Sequence, residues 1–212
     1  MNSRYKYPST PHLPFSQGLQ NDDRKIQSLN GFVGREIVVT EKMDGENTTL
    51  YSDHTHARSL DSRNHESRNW VKGFWSTFMY QIPTNWRVCG ENVYAEHSIG
   101  YDDLDTYFYG FSVWNDQNVA ISWDDTLTWF KTLGITPVKE LYRGSFDLKR
   151  LQQLADSLDT EKVEGYVIRV TDAVPFDDFD KKFAKWVRKG HVQTTEHWMT
   201  AKIVPNRLRK NV

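Results

Sequence analysis

The segment of this chain best suited to covalent chemistry is Glu41-Lys42-Met43-Asp44-Gly45-Glu46-Asn47. It fits the pattern Lys-x-Asp-Gly, in which a lysine amine attacks the α-phosphorus of a nucleotide and pyrophosphate leaves. An unperturbed lysine has a pKa of about 10.4, so a nucleophilic amine near neutrality must lose its proton through burial or nearby cations. The sequence neighbours work against this. Glu41, Asp44 and Glu46 would each favour the ammonium if they lay close, and a metal ion or a second lysine has to offset them. Gly45 suits the role because it lets the backbone turn tightly and approach a nucleotide without a side-chain clash. An ordinary turn after a strand accounts for the same four residues equally well, so the rest of the chain must decide.

Further candidates lie downstream. Glu91 in VCGENVYAEHSI and Glu164 in EGYVIR each sit beside a glycine inside an apolar, strand-like run. An unpaired carboxylate is costly to bury, so each either faces solvent or has a chemical task. In YFYGFSVWN, a period of two puts Tyr107, Tyr109 and Phe111 on one face, where a ring can either join the core or form the wall of a base pocket. The run Lys181, Lys182, Lys185, Arg188 and Lys189 is the kind that usually forms a solvated face. A transferred phosphate and departing pyrophosphate nevertheless need cations at close range, and two lysines would also depress the pKa of Lys42. The tract Arg58, Arg63, Arg68 and Lys72 and the tail Arg207, Arg209 and Lys210 offer either local basic surface for a polynucleotide backbone or plain solubilising charge. His12, His54, His56, His65, His97, His191 and His197 lack tight metal-ligand spacing, which gives a zinc site little support.

The elements that must position these groups are of both kinds. A short β-branched run from Arg35 leads straight into Lys42, placing it at a strand end, and strand-like runs recur at 86–95, 107–114 and 162–170. Helical periodicity is clearest at 124–133 and at 147–158, where Leu148, Leu151, Leu154 and Leu158 mark one face. Residues 1–30, with Pro8, Pro11, Pro14 and Gly18, read as an extended arm packed on the domain. Interleaved elements of this sort predict an α+β fold.

Bulk properties narrow the class. The 212 residues form one expected domain, 1–212, and Lys plus Arg number 27 against 28 Asp plus Glu, so any nucleic-acid contact must use a local patch. The single cysteine, Cys89, excludes an intramolecular disulfide framework. No stretch approaches the ~20 apolar residues of a membrane span, and the opening lacks the apolar core of a signal peptide, so a cytoplasmic protein is expected.

With its motifs in this order, the chain resembles the covalent nucleotidyltransferase superfamily of polynucleotide ligases and mRNA capping enzymes, and within it the ATP-dependent RNA ligase branch. The resemblance implies a nucleotidyltransferase domain of mixed, largely antiparallel sheets flanked by helices, here with no appended OB-fold. It implies that Lys42 carries a covalent lysyl-AMP. Glu41, Asn47, Arg58, Glu91 and Phe111 would hold the nucleotide, with Glu91 on the ribose and Phe111 stacked on the base. Glu164, Lys182 and Lys185 would serve the phosphates, Glu164 also helping to organise Mg²⁺ or Mn²⁺. The family spaces its two lysines by one residue, whereas Phe183 and Ala184 intervene here, and Lys185 is the preferred phosphate contact. Implied partners are ATP and RNA ends, a 5′-phosphate and a 3′-hydroxyl, with an accessory nucleic-acid-binding protein where one domain cannot position both ends. A DNA ligase, a GTP-using capping-type enzyme and a noncatalytic RNA-binding module on a degenerate ligase domain are the alternatives.

Overall fold

The computed structural model describes residues 4–19, 23–190 and 203–210; His191 and His197 lie outside them, as do residues 1–3 and 20–22 of the expected arm. The described chain runs β1 (Glu36–Lys42), β2 (Glu46–Leu50), β3 (Thr55–Ala57), α1 (Asn69–Ser76), β4 (Arg87–Asn92), β5 (Phe108–Trp114), β6 (Val119–Ala120) and α2 (Trp123–Leu133). It continues with β7 (Thr136–Pro137), β8 (Glu140–Ser145), α3 (Leu148–Ser157), β9 (Gly165–Val170), β10 (Val174–Pro175), α4 (Phe179–Lys182) and β11 (Phe183–Val187).

Two sheets result. The smaller has the order β11-β9-β1-β8, all antiparallel. The larger runs β10-β6-β5-β4-β2-β3, antiparallel throughout, with β7 added parallel to β5. This is the expected α+β class with mixed, largely antiparallel sheets. Alternation along β1 assigns its side chains: Ile37 and Val39 enter a core shared with Leu151 and Ala155 of α3 and Tyr166 and Ile168 of β9. Val38 points the other way, into a cluster with Met43, Val93, Tyr109, Trp123 and Val138. A third cluster joins Val71 of α1 to Phe108, Val113 and Phe130.

Both expected helices form, and their ends follow from local chemistry. Ser122 Oγ accepts from Asp125 N at 3.1 Å to start α2, and Gly134, at φ 68°, ends it in the left-handed conformation open to glycine. Asp147 caps α3 by accepting from the amides of Lys149 and Arg150. Helix α1, absent from the expected set, is an eight-residue segment whose Trp70, Val71, Phe74 and Trp75 pack on the third cluster at helical spacing, a pattern the sequence offers for only two turns.

The arm covers the outer edge of the smaller sheet. Lys185 N donates to Pro11 O at 2.8 Å, Leu13 N to Lys185 O at 2.8 Å and Gly18 N to Val187 O at 2.9 Å. Prolines 8, 11 and 14 have no N–H to leave unpaired along it.

Gly165 stands where three backbones meet. It lies opposite Lys42 on β1 and Val187 on β11, and a Cβ there would fall 2.0 Å from the carbonyl oxygen of Trp186. Gly165→Ala is therefore expected to force β9 and β11 apart and to destabilise the protein by about 1–3 kcal/mol in denaturant unfolding. A variant that unfolds with the parent would refute this close approach.

Candidate active site

The sheets enclose a cavity of about 660 Å³. Three strands of the smaller sheet supply one wall through strict alternation. Thr40 and Lys42 come from β1, Val167 and Arg169 from β9, and Phe183 and Lys185 from β11. Register sets the neighbours: Lys42 pairs with Gly165, so Glu164 at the mouth of β9 lies beside it, and Lys185 pairs with Val167, which pairs with Thr40. The opposite wall includes Asn47 of β2 and Glu91 of β4, paired neighbours on adjacent strands of the larger sheet.

Lys42 Nζ donates to Glu164 Oε2. The lysine side chain is 26% exposed and the glutamate 5%, so this is a mostly buried ion pair. Burial alone would push the Lys42 pKa down, but the carboxylates of Glu164, Glu91 and Asp44 outweigh it and hold the pKa above the ordinary lysine value. Burial likewise drives the Glu91 carboxyl up to about 8; the Lys42 charge pulls it back only in part, while Glu164 and Asp44 push further. The expected second cation is present, because Lys185 feels the charge of Lys42. It does not bring the Lys42 pKa down overall, because Glu164, Glu91 and Asp44 outweigh it at that amine, and Lys185 itself pairs with Asp23, 3.2 Å away.

Asp44 has an architectural task. Its Oδ2 accepts from Ser98 N and Ser98 Oγ, both at 2.7 Å, and from Ile99 N at 2.8 Å, while Asp44 N donates to Tyr101 Oη at 2.9 Å. These bonds hold the loop carrying His97 against the cavity. Gly45 is required beside it, as a Cβ would lie 2.5 Å from Asn92 O. Asn47 lines the cavity, and its Oδ1 is buried without a hydrogen-bond partner among the described residues.

Phe111 lies on the face of β5 that the period of two assigns it, packed in one cluster with Tyr107 and Tyr109. The β4–β5 register slips between Cys89 and Gly90, leaving Phe111 between the paired residues Gly110 and Ser112. Its ring lines the cavity and meets Tyr7 of the arm edge-on at 5.1 Å. Tyr107 and Tyr109 do not share that wall: their hydroxyls bond to Asn206 O and Asp105 N.

The remaining candidates divide. Glu41 borders the cavity, its carboxyl pushed above the ordinary range by burial. Arg58 lies at the exposed rim, its Nη2 2.5 Å from Ser9 Oγ. Lys182 does not line the cavity; it sits on α4 with Nζ 3.5 Å from Asp178 Oδ2. Alternation along β11 turns Lys185 inward instead. Of the tail residues, Arg209 pairs with Asp103 and Asp105.

Three residues not singled out for the site join it. Arg68, read from sequence only as one charge in a basic tract, is buried and clasps Glu46 with two nitrogens, one at 2.7 Å. Arg169 is 3% exposed, stacks over Phe183 with its guanidinium carbon 4.9 Å from the ring centre, and has its pKa drawn down to about 10 by burial. A charge in the middle of the apolar run GYVIRV was the available signal for it. Tyr7 had none, because its place depends on how the arm docks.

Comparison with known proteins follows this geometry. A profile described as RNA ligase matches residues 35–187. A protein of Aquifex aeolicus assigned as an ATP-dependent DNA ligase superposes with a TM-score of 0.59 at 19% identity, covering 89% of this chain and 50% of its own. An RNA ligase of Naegleria gruberi, solved with pyrophosphate, superposes with a TM-score of 0.58 at 20% identity, covering 85% and 57%. An archaeal ATP-dependent RNA ligase gives a TM-score of 0.55 at 13% identity, covering 83% and 48%. The chain thus spans about half the length of the structures it matches. No curated protein sequence matches it.

The raised Glu91 pKa has a consequence for stability. Between its ordinary value and about 8 the folded state binds a proton that the unfolded chain has released, so this group makes stability fall as pH rises through that window. Lys42, raised from 10.5, contributes stability that is complete below that value and is lost only above it, so it does not offset the trend. Glu91→Gln is expected to flatten the slope and to gain stability over the parent at pH 8, measured by denaturant unfolding without nucleotide from pH 5 to 8. Parallel slopes for the two proteins would show that Glu91 is not the group responsible.

Proposed function

The chain belongs to the RNA ligase family, and on that premise we propose that it is an ATP-dependent RNA ligase whose Lys42 takes AMP from ATP. The AMP then passes to an RNA 5′-phosphate, and a 3′-hydroxyl displaces it. The observation that carries this reading is the Lys42 amine set at the cavity wall against Glu164, with Glu91, Asn47, Phe111 and Lys185 around the same space.

The roles follow from the chemistry of each group. Phe111 offers a ring face to the base, and the Asn47 acceptor and the Glu91 carboxyl suit the hydroxyl donors of a ribose. Glu164, hydrogen-bonded to Nζ, is placed to take the proton that Lys42 must lose before attack. The Nζ–P bond then forms and the bond from the α-phosphorus to the bridging oxygen breaks, its electron pair leaving with pyrophosphate. Lys185 presents a positive charge to that departing group.

A divalent ion fits the donor set. Glu164, hydrogen-bonded to the amine, offers hard carboxylate oxygens of the kind Mg²⁺ or Mn²⁺ takes. No group of three candidate ligands lies together among the described residues, so such an ion would need substrate phosphate oxygens and water for the rest of its shell. Bound there, the ion would neutralise carboxylate and phosphate charge, and so loosen the proton on Lys42.

The test is covalent labelling with α-labelled ATP and Mg²⁺, followed by joining of nicked RNA and nicked DNA on the same preparation, with GTP and NAD as competing donors. The parent is expected to form an acid-stable, lysine-linked AMP adduct and to join RNA. Lys42→Ala is expected to lose the adduct entirely, because no other group supplies the attacking nitrogen. Label retained on Lys42→Ala would sink the mechanism, and preference for nicked DNA would move the substrate assignment.

A further inference from the structure

Lys185 is held from behind by a network that crosses from β11 into the arm. Its Nζ lies 3.2 Å from Asp23 Oδ1, and the other oxygen of the same carboxylate lies 3.1 Å from His12 Nε2. His12 is completely buried, with Nδ1 2.7 Å from Ser16 Oγ, and Ser16 Oγ accepts from Val187 N on β11 at 3.0 Å. The backbone fixes the same frame. His12 N donates to Arg24 O at 2.7 Å and Ile26 N to His12 O at 2.8 Å, tying the stretch after Asp23 to the strand that pairs with Lys185.

We infer that Asp23, braced by His12 and Ser16, is a positioning residue that fixes the Lys185 ammonium for the departure of pyrophosphate. The inference rests on the reading of the cavity as an adenylylation site. Lysine carries its charge on a flexible four-carbon stem, so an ammonium that must meet charge developing on a leaving group benefits from being held before the reaction starts. The Lys185 side chain is 16% exposed and that of Asp23 18%, so the tether works largely away from water. Engaging both carboxylate oxygens matters: with one oxygen turned to the buried imidazole, Asp23 cannot swing into the cavity and compete with phosphate. Lys185 transfers no proton in the step. It meets the negative charge that moves onto the pyrophosphate oxygen as the Nζ–P bond of Lys42 forms and the bond to the leaving oxygen breaks.

Five proteins test this: the parent, Asp23→Asn, Asp23→Glu, Lys185→Ala and the double variant Asp23→Asn/Lys185→Ala. The readouts are the single-turnover rate of lysyl-AMP formation at saturating ATP, the half-saturating ATP concentration and the melting temperature. Misplacing a charge by about 1 Å lowers rates by up to about 100-fold, and a loss of about 10- to 100-fold is expected for Asp23→Asn, with half-saturating ATP unchanged. Asp23 acts through Lys185, so the double variant should be no slower than Lys185→Ala, the non-additivity of groups that work as a unit. Asp23→Glu should recover part of the lost rate by restoring the charge, whereas a purely structural role would be met by the isosteric asparagine and not by the longer glutamate. Asp23→Asn at the parental rate, or losses that multiply in the double variant, would overturn the inference while leaving adenylylation intact. A parent that forms no lysyl-AMP would remove the functional reading and this inference together.

Discussion

The contact between the Lys42 ammonium and the Glu164 carboxylate organises the site. Two charges withdrawn from water lose several kcal/mol of hydration each, and their attraction offsets this only in good geometry, so such pairs are weak sources of stability. Here the geometry comes from register. Lys42 ends β1 opposite Gly165, Glu164 immediately precedes that glycine, and Gly165 has no side chain because the Trp186 carbonyl occupies the space a Cβ would need. Slipping β9 by one residue would turn Glu164 to the other face and leave the amine without its partner. Several features away from the cavity can be understood as holding that register: the α3 face against Tyr166 and Ile168, the stacking of Tyr166 on Trp186, and the arm along β11.

The same pairing creates a surplus of negative charge that the fold tolerates rather than removes. Glu91 is too buried to ionise readily beside two other carboxylates, and Asp44 accepts three hydrogen bonds from the Ser98 loop. Replacing these groups by apolar residues would suit the core better, which is why their persistence around one amine points to chemistry rather than to stability. The far side of the cavity has the opposite character. Arg169, Phe183, Trp123, Tyr7 and Phe111 present a cationic and aromatic surface, so one end of the cavity suits a flat π system and the other attracts cations.

How much of this could be read beforehand depended on how local the cause was. Lys42, Glu91 and Glu164 were legible because charges at the ends or within apolar strand runs are anomalous wherever they occur. Lys185 was separable from Lys182 only once β11 was known to begin at Phe183, since the period of two then turns one lysine inward and leaves the other on α4 with Asp178. Phe111 was legible in part: it packs with Tyr107 and Tyr109 as the period of two requires, but the pattern does not say which of the three rings reaches the cavity. Arg68 and the His12–Asp23 contact were not legible at all, because their partners are 22 and 11 positions away and are met only through tertiary packing.

A second lysine was expected to loosen the proton on Lys42, and the structure supplies the lysine with its effect outweighed. Lys185 is close enough to have its own pKa lowered by Lys42, yet burial is the larger cause and Asp23 opposes both. On the Lys42 side, Glu164, Glu91 and Asp44 together hold the ammonium. A resting amine that stays protonated is protected from wasteful reaction, and it can be released only by whatever weakens those three carboxylates. On the adenylylation reading proposed above, that requirement falls on species entering with the nucleotide, because Lys185 is already paired with Asp23. Activation of Lys42 would then be coupled to occupation of the cavity, and the acidic residues that hold its proton would be the ones that draw in the charge needed to release it.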